Sequence, residues 1–139
     1  VSVGYEAGVI GEGEISYAGS NALARAKLAG EILYSRLKDK VVDLRIDYIG
    51  ISSVHRVSFQ ESDPYEIRLR VAGKCLTLKE AAKIGEEVEA LYTNGPAGGG
   101  GARKYVNEVV GIVSTLISRN KIETYFTLKE SITNEKEII

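Results

Sequence analysis

Two side chains stand out as candidates for acid–base chemistry near neutral pH. His55 is the only histidine, and an imidazole can act as a general base in this range. Glu89 falls within the apolar face of a predicted helix, where a carboxylate needs a cation partner or serves as an acid or base. Arg103 is the expected partner. We therefore predict His55 and Glu89 as catalytic candidates, against the alternatives of a packed loop histidine and a structural ion pair.

The sequence predicts no metal centre. Cys75 is the only cysteine, and together with the single histidine it falls short of any zinc-binding pattern. A lone cysteine cannot form an internal disulfide bond, which is typical of proteins from a reducing compartment. We therefore expect a cytoplasmic location.

A glycine-rich segment, residues 94–104, is the strongest local anomaly. It contains the consecutive glycines Gly98 to Gly101, followed by Arg103 and Lys104. Amide groups of such a run can cradle an anion, and the two cations would add charge. The segment is not a Walker A loop, because it follows a predicted helix and lacks the required Lys-Ser or Lys-Thr ending. The alternative is a flexible surface linker.

The start of the first predicted helix is a second candidate contact for an anion. Free amide groups and the helix dipole favour negative charge at such a position. Ser20 or Asn21 is expected to cap this helix, and Ser20 adds a hydroxyl group. Arg25, one turn further on, could reach the same ligand. Ordinary N-capping is the alternative explanation.

The remaining chain must form the elements that position these residues. An apolar repeat with helical spacing covers residues 21–38, and the capping box from Thr77 to Glu80 starts a second helix that ends at Asn94. Alternating apolar residues predict strands elsewhere. These are a loose hairpin of Val1–Tyr5 with Gly13–Tyr17, then Leu44–Ser52, Tyr65–Ala72 and a short Thr124–Leu128.

Residues 105–117 suit either of two structures. Their apolar spacing is compatible with a helix, whereas their enrichment in Val and Ile is typical of a buried strand. We predict a strand that begins near Val109. The glycine run before it is expected to be irregular.

This order of elements predicts a two-layer α+β sandwich. Strand–helix–strand–strand–helix–strand with right-handed crossovers places both helices on one face of an antiparallel sheet, the ferredoxin-like arrangement, here preceded by a hairpin. Three connections then meet at one edge, and this edge is the predicted site: Ala18–Asn21, Ser53–Asp63 and Asn94–Lys104. We expect one domain over residues 1–122, with 123–139 as a peripheral strand or frayed tail.

Composition excludes several classes of protein. The chain has 139 residues, 44% of them hydrophobic, and a net charge of −1, so it has no basic excess for nucleic-acid binding. RNA binding on such a sheet requires exposed aromatic residues, for which Tyr48 and Tyr65 are the only candidates. No apolar run approaches the length of a membrane span. The absence of Met and a first residue within a predicted strand indicate a fragment of a longer protein.

Three stretches resemble the acyclic terpene utilisation (AtuA-like) family: Gly11–Leu33, Leu44–His55 and Glu87–Lys104. They include the glycine run with both flanks, and the likeness extends to Arg119. It covers only the carboxy-terminal part of that family's conserved region. Ser20-Asn21 stands where the family often has Pro-Gly, and Ser118-Arg119 where it often has Pro-Arg. The family motif positions matched here are Tyr17, Gly19, Ala22, Arg25, Ala26, Asn94, Gly95, Pro96, Gly98 to Gly101 and Arg103.

The resemblance implies a link to terpenoid catabolism through CoA thioesters, with no defined reaction. The leading hypothesis is a carboxy-terminal domain that binds a small anionic or acyl-CoA-type ligand, a CoA thioester being the one cofactor indicated. The alternative is an assembly module, with the Glu66, Arg68 and Arg70 side of the sheet as its contact. The expected partners are a missing amino-terminal domain and other copies of the chain, without nucleic acid or membrane. The predicted ligand-binding residues are Tyr17, Gly19, Ser20, Arg25, Asn94, Gly95, Gly98, Gly99, Gly100, Gly101, Arg103 and Lys104.

Overall fold

Strands and helices follow one another in the predicted order. The computed structural model describes residues 1–55 and 64–129. Within them, a 3₁₀ turn at Arg119–Lys121 follows the last strand. The principal elements are β1 (Ser2–Ala18), α1 (Ala22–Leu37), β2 (Asp43–Ile49), β3 (Glu66–Cys75), α2 (Leu78–Asn94) and β4 (Gly99–Ser114).

The strands form an antiparallel sheet in the order β2-β3-β1-β4. This is the order that a β-α-β-β-α-β chain adopts when both helices cover one face. Side chains of β3 alternate accordingly, since Ile67, Leu69 and Val71 are buried while Arg68 and Arg70 lie on the opposite, open face. The predicted α+β two-layer sandwich is confirmed.

Small residues allow the helices to lie close to the sheet. The buried side of α1 begins with three alanines, Ala22, Ala26 and Ala29. Beneath α2, a β-carbon added to Gly13 would lie 2.7 Å from a methyl carbon of Val88. The buried core comprises Val9, Ile15, Tyr17, Ala22, Ala26, Ala29, Leu33, Leu37, Ile67, Leu69, Val71, Cys75, Ala81, Ile84, Val88 and Leu91.

The two extended stretches that the sequence indicates as a hairpin, Val1–Tyr5 and Gly13–Tyr17, belong to one continuous strand. The turn expected between them is a bulge, where the pairing with β4 shifts between Glu6 and Gly8. Gly8 has a φ of 107°, a value that glycine adopts without strain. The chain therefore runs straight through this region instead of folding back.

β1 and β4 pair well beyond the part that the helices cover. Their pairing extends from Tyr17 opposite Gly99 to Ser2 opposite Ser114. We call the outer part of this pair, residues 2–8 with 109–114, the ribbon. It is a two-stranded projection from the four-stranded sheet.

β4 confirms the strand predicted within residues 105–117, but it begins at Gly99, ten residues before the expected start. The expectation that the glycine run is irregular is therefore wrong for Gly99 to Gly101. Gly99 pairs with Tyr17, and Gly101, with a φ of 62°, forms a second bulge. Strand pairing with β1 overrides the low strand propensity of glycine.

The carboxy-terminal segment departs from the prediction. Residues 122–129 form neither helix nor strand, so the predicted strand at Thr124–Leu128 is wrong. Residues 130–139 lie outside the described part of the chain, as does most of the Ser53–Asp63 connection. No helix in the described ranges is long and apolar enough to cross a membrane.

Candidate functional site

Arg25 joins two of the three connections that the topology places at one edge. Its guanidinium donates hydrogen bonds to the carbonyl oxygens of Ala18 at 2.6 Å, Ser20 at 3.0 Å and Ala97 at 2.8 Å. The amide of Gly19 also donates to the carbonyl of Tyr65, just before β3, at 2.7 Å. The start of α1 and the end of α2 thus lie together, as predicted, with Arg25 as the link.

Tyr17 lies beneath this link. Its side chain is fully buried, and the Arg25 guanidinium carbon lies 5.9 Å from the centre of its ring. The Tyr17 hydroxyl has no hydrogen-bond partner in the described structure. Burial raises the pKa of Tyr17, and the nearby Arg25 charge opposes this effect. A buried hydroxyl without a partner is costly, which makes this position unusual.

The start of α1 lacks the expected side-chain cap. Asn21 occupies the N-cap position in a left-handed conformation with a φ of 58°, and its side chain makes no capping hydrogen bond. Ser20 contributes its carbonyl oxygen to Arg25. Ordinary capping by these side chains, the alternative explanation for this turn, is therefore not what the structure contains.

The glycine segment is mostly sheet rather than an anion cradle. Gly99 and Gly100 pair with Tyr17 and Ser16, so part of their backbone hydrogen-bonding capacity is used by β1. Gly98 remains in the turn, where its φ is 76° and an added β-carbon would lie 2.7 Å from the Arg25 guanidinium. Glycine at position 98 thus allows Arg25 to approach the turn.

The two cations after the glycine run point to opposite faces of the sheet. Arg103 lies opposite Glu14 on the open face. Lys104 lies on the helix face, where its amine bonds the Glu89 carboxylate at 2.5 Å. The predicted partnership of Arg103 with Glu89 is wrong, because successive strand residues alternate between faces. Arg103 and Lys104 therefore do not converge on one ligand.

Neither catalytic candidate lies in a buried acid–base site. The Glu89 side chain is 54% exposed, so its expected place within the apolar face is wrong; it lies at the margin of α2, beside the edge strand. His55 is exposed and follows β2, the strand at the other edge. The two residues therefore lie near opposite edges of the sheet.

The other predicted ligand contacts at the end of α2 serve the helix pair. The Asn94 side-chain oxygen accepts a hydrogen bond from Arg36 at 3.5 Å, while Arg36 also pairs with Glu87 at 3.2 Å. The amide of Gly95 donates to the carbonyl of Leu91, which ends the helix. These contacts connect α1 with α2.

Sequence reasoning missed a charge network on the open face. Arg68 pairs with Glu14 at 2.7 Å and donates to the Ser16 hydroxyl at 3.0 Å. Arg70 pairs with Glu12 and, at 3.3 Å, with Asp47. The hydrogen bond that Arg70 donates to Glu12 is the main reason that the pKa of Arg70 lies above its ordinary value. Within each strand these residues occupy alternate positions, which places them on one face and indicates that they could interact. The sequence alone does not give the register of the strands, and therefore not the pairs.

Asp47 is the most buried charge of that network. Only 5% of the residue is exposed, and Arg45 donates to both carboxylate oxygens at 2.8 and 2.9 Å. With Arg70 on its other side, the carboxylate is well compensated. Arg68 and Arg70, predicted to contact a partner, are thus engaged within the chain.

The ribbon differs from the charged open face of the sheet, because apolar side chains lie on both faces of the ribbon and remain exposed. The prediction of a buried strand is wrong here, since every residue of β4 is at least partly exposed in the described structure. The Val110 and Ile112 residues are 71% and 73% exposed. The other exposed large apolar residues on or next to the ribbon are Val1, Val3, Tyr5, Val113, Leu116 and Ile117.

Comparison with known proteins adds one finding. The family model described as "Acyclic terpene utilisation family protein AtuA" matches residues 1–128. A search of curated proteins found no match. Across the residues that the structure describes, no group of three or more His, Cys, Asp or Glu side chains is placed to hold a metal ion.

Proposed function

This chain belongs to the acyclic terpene utilisation AtuA family, and from that premise we propose that it is an assembly module. Its ribbon packs against another folded unit, which is either a second copy or another part of a family protein. The observation that carries this proposal is the apolar character of the ribbon on both faces, above all at Val110 and Ile112.

Exposed apolar side chains on the ribbon favour association, because their burial in a contact lowers the free energy. Burying one Val or Ile side chain is worth about 1.5–3 kcal/mol, and contiguous exposed apolar surface marks sites of association. A two-stranded pair is marginally stable in water unless it packs against something. A partner that covers Val3, Val110 and Ile112 would supply this missing packing.

The distribution of charge supports assembly over anion binding. In the described ranges, Arg68 and Arg70 pair with carboxylates, Lys104 pairs with Glu89, and Arg25 binds backbone carbonyls. An anion would have to compete with each of these contacts. The ribbon has no such competition, because its apolar side chains face solvent.

Sedimentation equilibrium of the chain tests this function. We expect a mass that rises above that of the monomer at micromolar concentration. Val110→Lys with Ile112→Lys should reduce self-association by about tenfold or more, since a lysine is costly to bury in an apolar contact. Val42→Lys is the matched control, as Val42 is 64% exposed but directly precedes β2, the strand at the other edge of the sheet.

Two results would contradict the assembly function. One is a wild-type chain that stays monomeric and fails to bind a dye specific for exposed apolar surface. The other is equal self-association of the ribbon variant and the Val42→Lys control. Circular dichroism of each variant checks that it is folded.

A second candidate function is supported by Tyr17. Its buried hydroxyl without a partner, close to the uncapped start of α1, favours a small anionic ligand such as the phosphate of an acyl-CoA at this edge. Titration with CoA and acetyl-CoA should shift the amide resonances of Gly19 and Leu23. Unchanged resonances at about 1 mM ligand would exclude this function, because binding weaker than that is worth less than about 4 kcal/mol.

A further inference from the structure

The outer edge of β4 is complementary to itself. β4 is an edge strand of the sheet, and its middle reads Lys104-Tyr105-Val106-Asn107-Glu108. We propose that a second copy of this chain pairs with it, β4 antiparallel to β4, so that the two sheets form one sheet of twice the width. This inference rests on the proposed assembly function and names its partner.

Symmetry restricts how two such edges can pair. An antiparallel pair of identical strands is related by a two-fold axis perpendicular to the sheet, which keeps both helix layers on one side. Directly opposite residues of antiparallel strands share a face. The axis must therefore pass through one residue position, with that residue opposite its own copy.

Charge selects Val106 as that residue. Lys104 and Glu108 lie two positions on either side of Val106, on the same face, so each would lie opposite the other in the partner strand. An axis at Tyr105 would instead place Lys104 opposite Val106, and an axis at Asn107 would place Lys104 opposite Val110. β4 contains one acidic residue and two cations, and an axis at Val106 is the choice that pairs opposite charges.

The side chains around this axis fit the arrangement. The Lys104 ammonium has three donors, so it can keep its bond to Glu89 and also reach a Glu108 of the partner copy. Tyr105 and Asn107 would face each other on the open side. Val106 also borders a cavity of about 150 Å³ between α2 and β4, next to Ala82 and Gly85, which has room for apolar side chains near the axis.

The ends of the strand are complementary in size. The bulge at Gly101 shifts the register by one residue, so Gly99 would come opposite Ile112 of the partner and Gly100 opposite Gly111. The pairing thereby gives the glycine run a role, since small residues leave room for large ones across the strand pair.

A cysteine placed at the axis tests the register. In Val106→Cys, the two β-carbons would lie about 4.5–5.5 Å apart, close enough for a disulfide bond after small adjustment. Glu108→Cys is the matched control, because its two copies would lie about 13 Å apart along the strands. Cys75 is buried and does not interfere. Mild oxidation should give a covalent dimer for Val106→Cys and none for the control.

Charge reversal supplies a second test that does not depend on oxidation. All proteins carry Glu89→Gln, so that changes at Lys104 do not disturb an internal pair. Glu108→Lys should weaken the dimer at least about tenfold by opposing two lysines at two symmetric positions. Adding Lys104→Glu should restore it to within about threefold of the parent.

The outcomes separate this inference from the assembly function. The wild-type chain could self-associate and the ribbon variant fail to do so, while Val106→Cys gives no cross-link and the charge reversal no rescue. This combination of results would overturn the β4 pairing and leave the assembly function standing. A chain that stays monomeric and binds no apolar-surface dye overturns both. A cross-link at position 106 together with charge rescue supports the pairing.

Discussion

Arg25 in α1 donates a 2.8 Å hydrogen bond to the carbonyl of Ala97, a residue 72 positions further along the chain. Its other donors bind the carbonyls of Ala18 and Ser20 at the start of its own helix. One side chain thus holds the turn before α1 against the turn after α2. This explains why an arginine at the predicted ligand edge has a structural role.

Replacement of this arginine should destabilise the fold. Arg25→Ala removes three charge-assisted hydrogen bonds, and we expect the free energy of unfolding to fall by about 1–3 kcal/mol, the partial exposure of the carbonyls limiting the loss. Arg36→Ala, which removes one partly exposed ion pair and the long hydrogen bond to Asn94, should cost less than about 1 kcal/mol. Urea denaturation of both variants compares them. Equal losses would contradict the special role of Arg25.

Loss of the Tyr17 hydroxyl should have the opposite effect. The hydroxyl is buried without a partner, so Tyr17→Phe should leave the free energy of unfolding unchanged or raise it by up to about 1–2 kcal/mol. Thermal and urea unfolding measure this difference. A loss above about 1 kcal/mol would mean that the hydroxyl has a partner in solution, such as water.

Much of the fold followed from local patterns. The capping box at Thr77 is present, with the Glu80 amide bonded to the Thr77 hydroxyl at 3.2 Å, because capping depends on a few neighbouring residues. The strand register across β1, β3 and β4 did not follow, since it depends on contacts between distant residues. Arg103 and Lys104 were consequently assigned to one site, although they lie on opposite faces.

The glycine run also shows that a local pattern does not determine pairing between distant strands. A run of glycines has no side chains to pack, so it predicts irregular structure, yet Gly99 lies in β4 against Ile15 and Tyr17. Similarly, Val and Ile residues predict a buried strand, whereas Val110 and Ile112 are exposed in the single chain. Burial depends on which other elements lie against a strand, and the local sequence of the strand does not contain that information.

Two glycine substitutions should differ sharply. Gly13→Ala would bring a β-carbon within 2.7 Å of Val88, so we expect a loss of about 1–3 kcal/mol from overpacking under α2. Gly100→Ala meets nothing within 4 Å and should change the free energy of unfolding by less than about 0.5 kcal/mol. Denaturation at low protein concentration gives both values. A larger loss for Gly100→Ala would contradict the packing described.

Stability should fall in alkaline solution. Burial raises the pKa values of Cys75, Tyr17 and Tyr48 above their ordinary values of 9.0, 10.0 and 10.0. As the pH rises, these groups ionise first in the unfolded chain and stay neutral in the folded chain. Their contribution to the free energy of unfolding is therefore complete below about pH 8.5. It declines as the pH rises through the ordinary pKa values and up to the raised ones. Urea midpoints from neutral pH upwards measure this. Cys75→Ser should show a smaller decline; an identical decline would contradict the role of the thiol.

Hydrogen–deuterium exchange as a function of protein concentration tests most directly whether two copies of the chain assemble through β4. Between about 1 and about 100 µM, the amides of β4 from Tyr105 to Val113 should exchange progressively more slowly, because a partner covers them. The amides of β2, the other edge strand, should not change. Exchange in β4 that is independent of concentration, at the rate of an uncovered edge, would contradict the account.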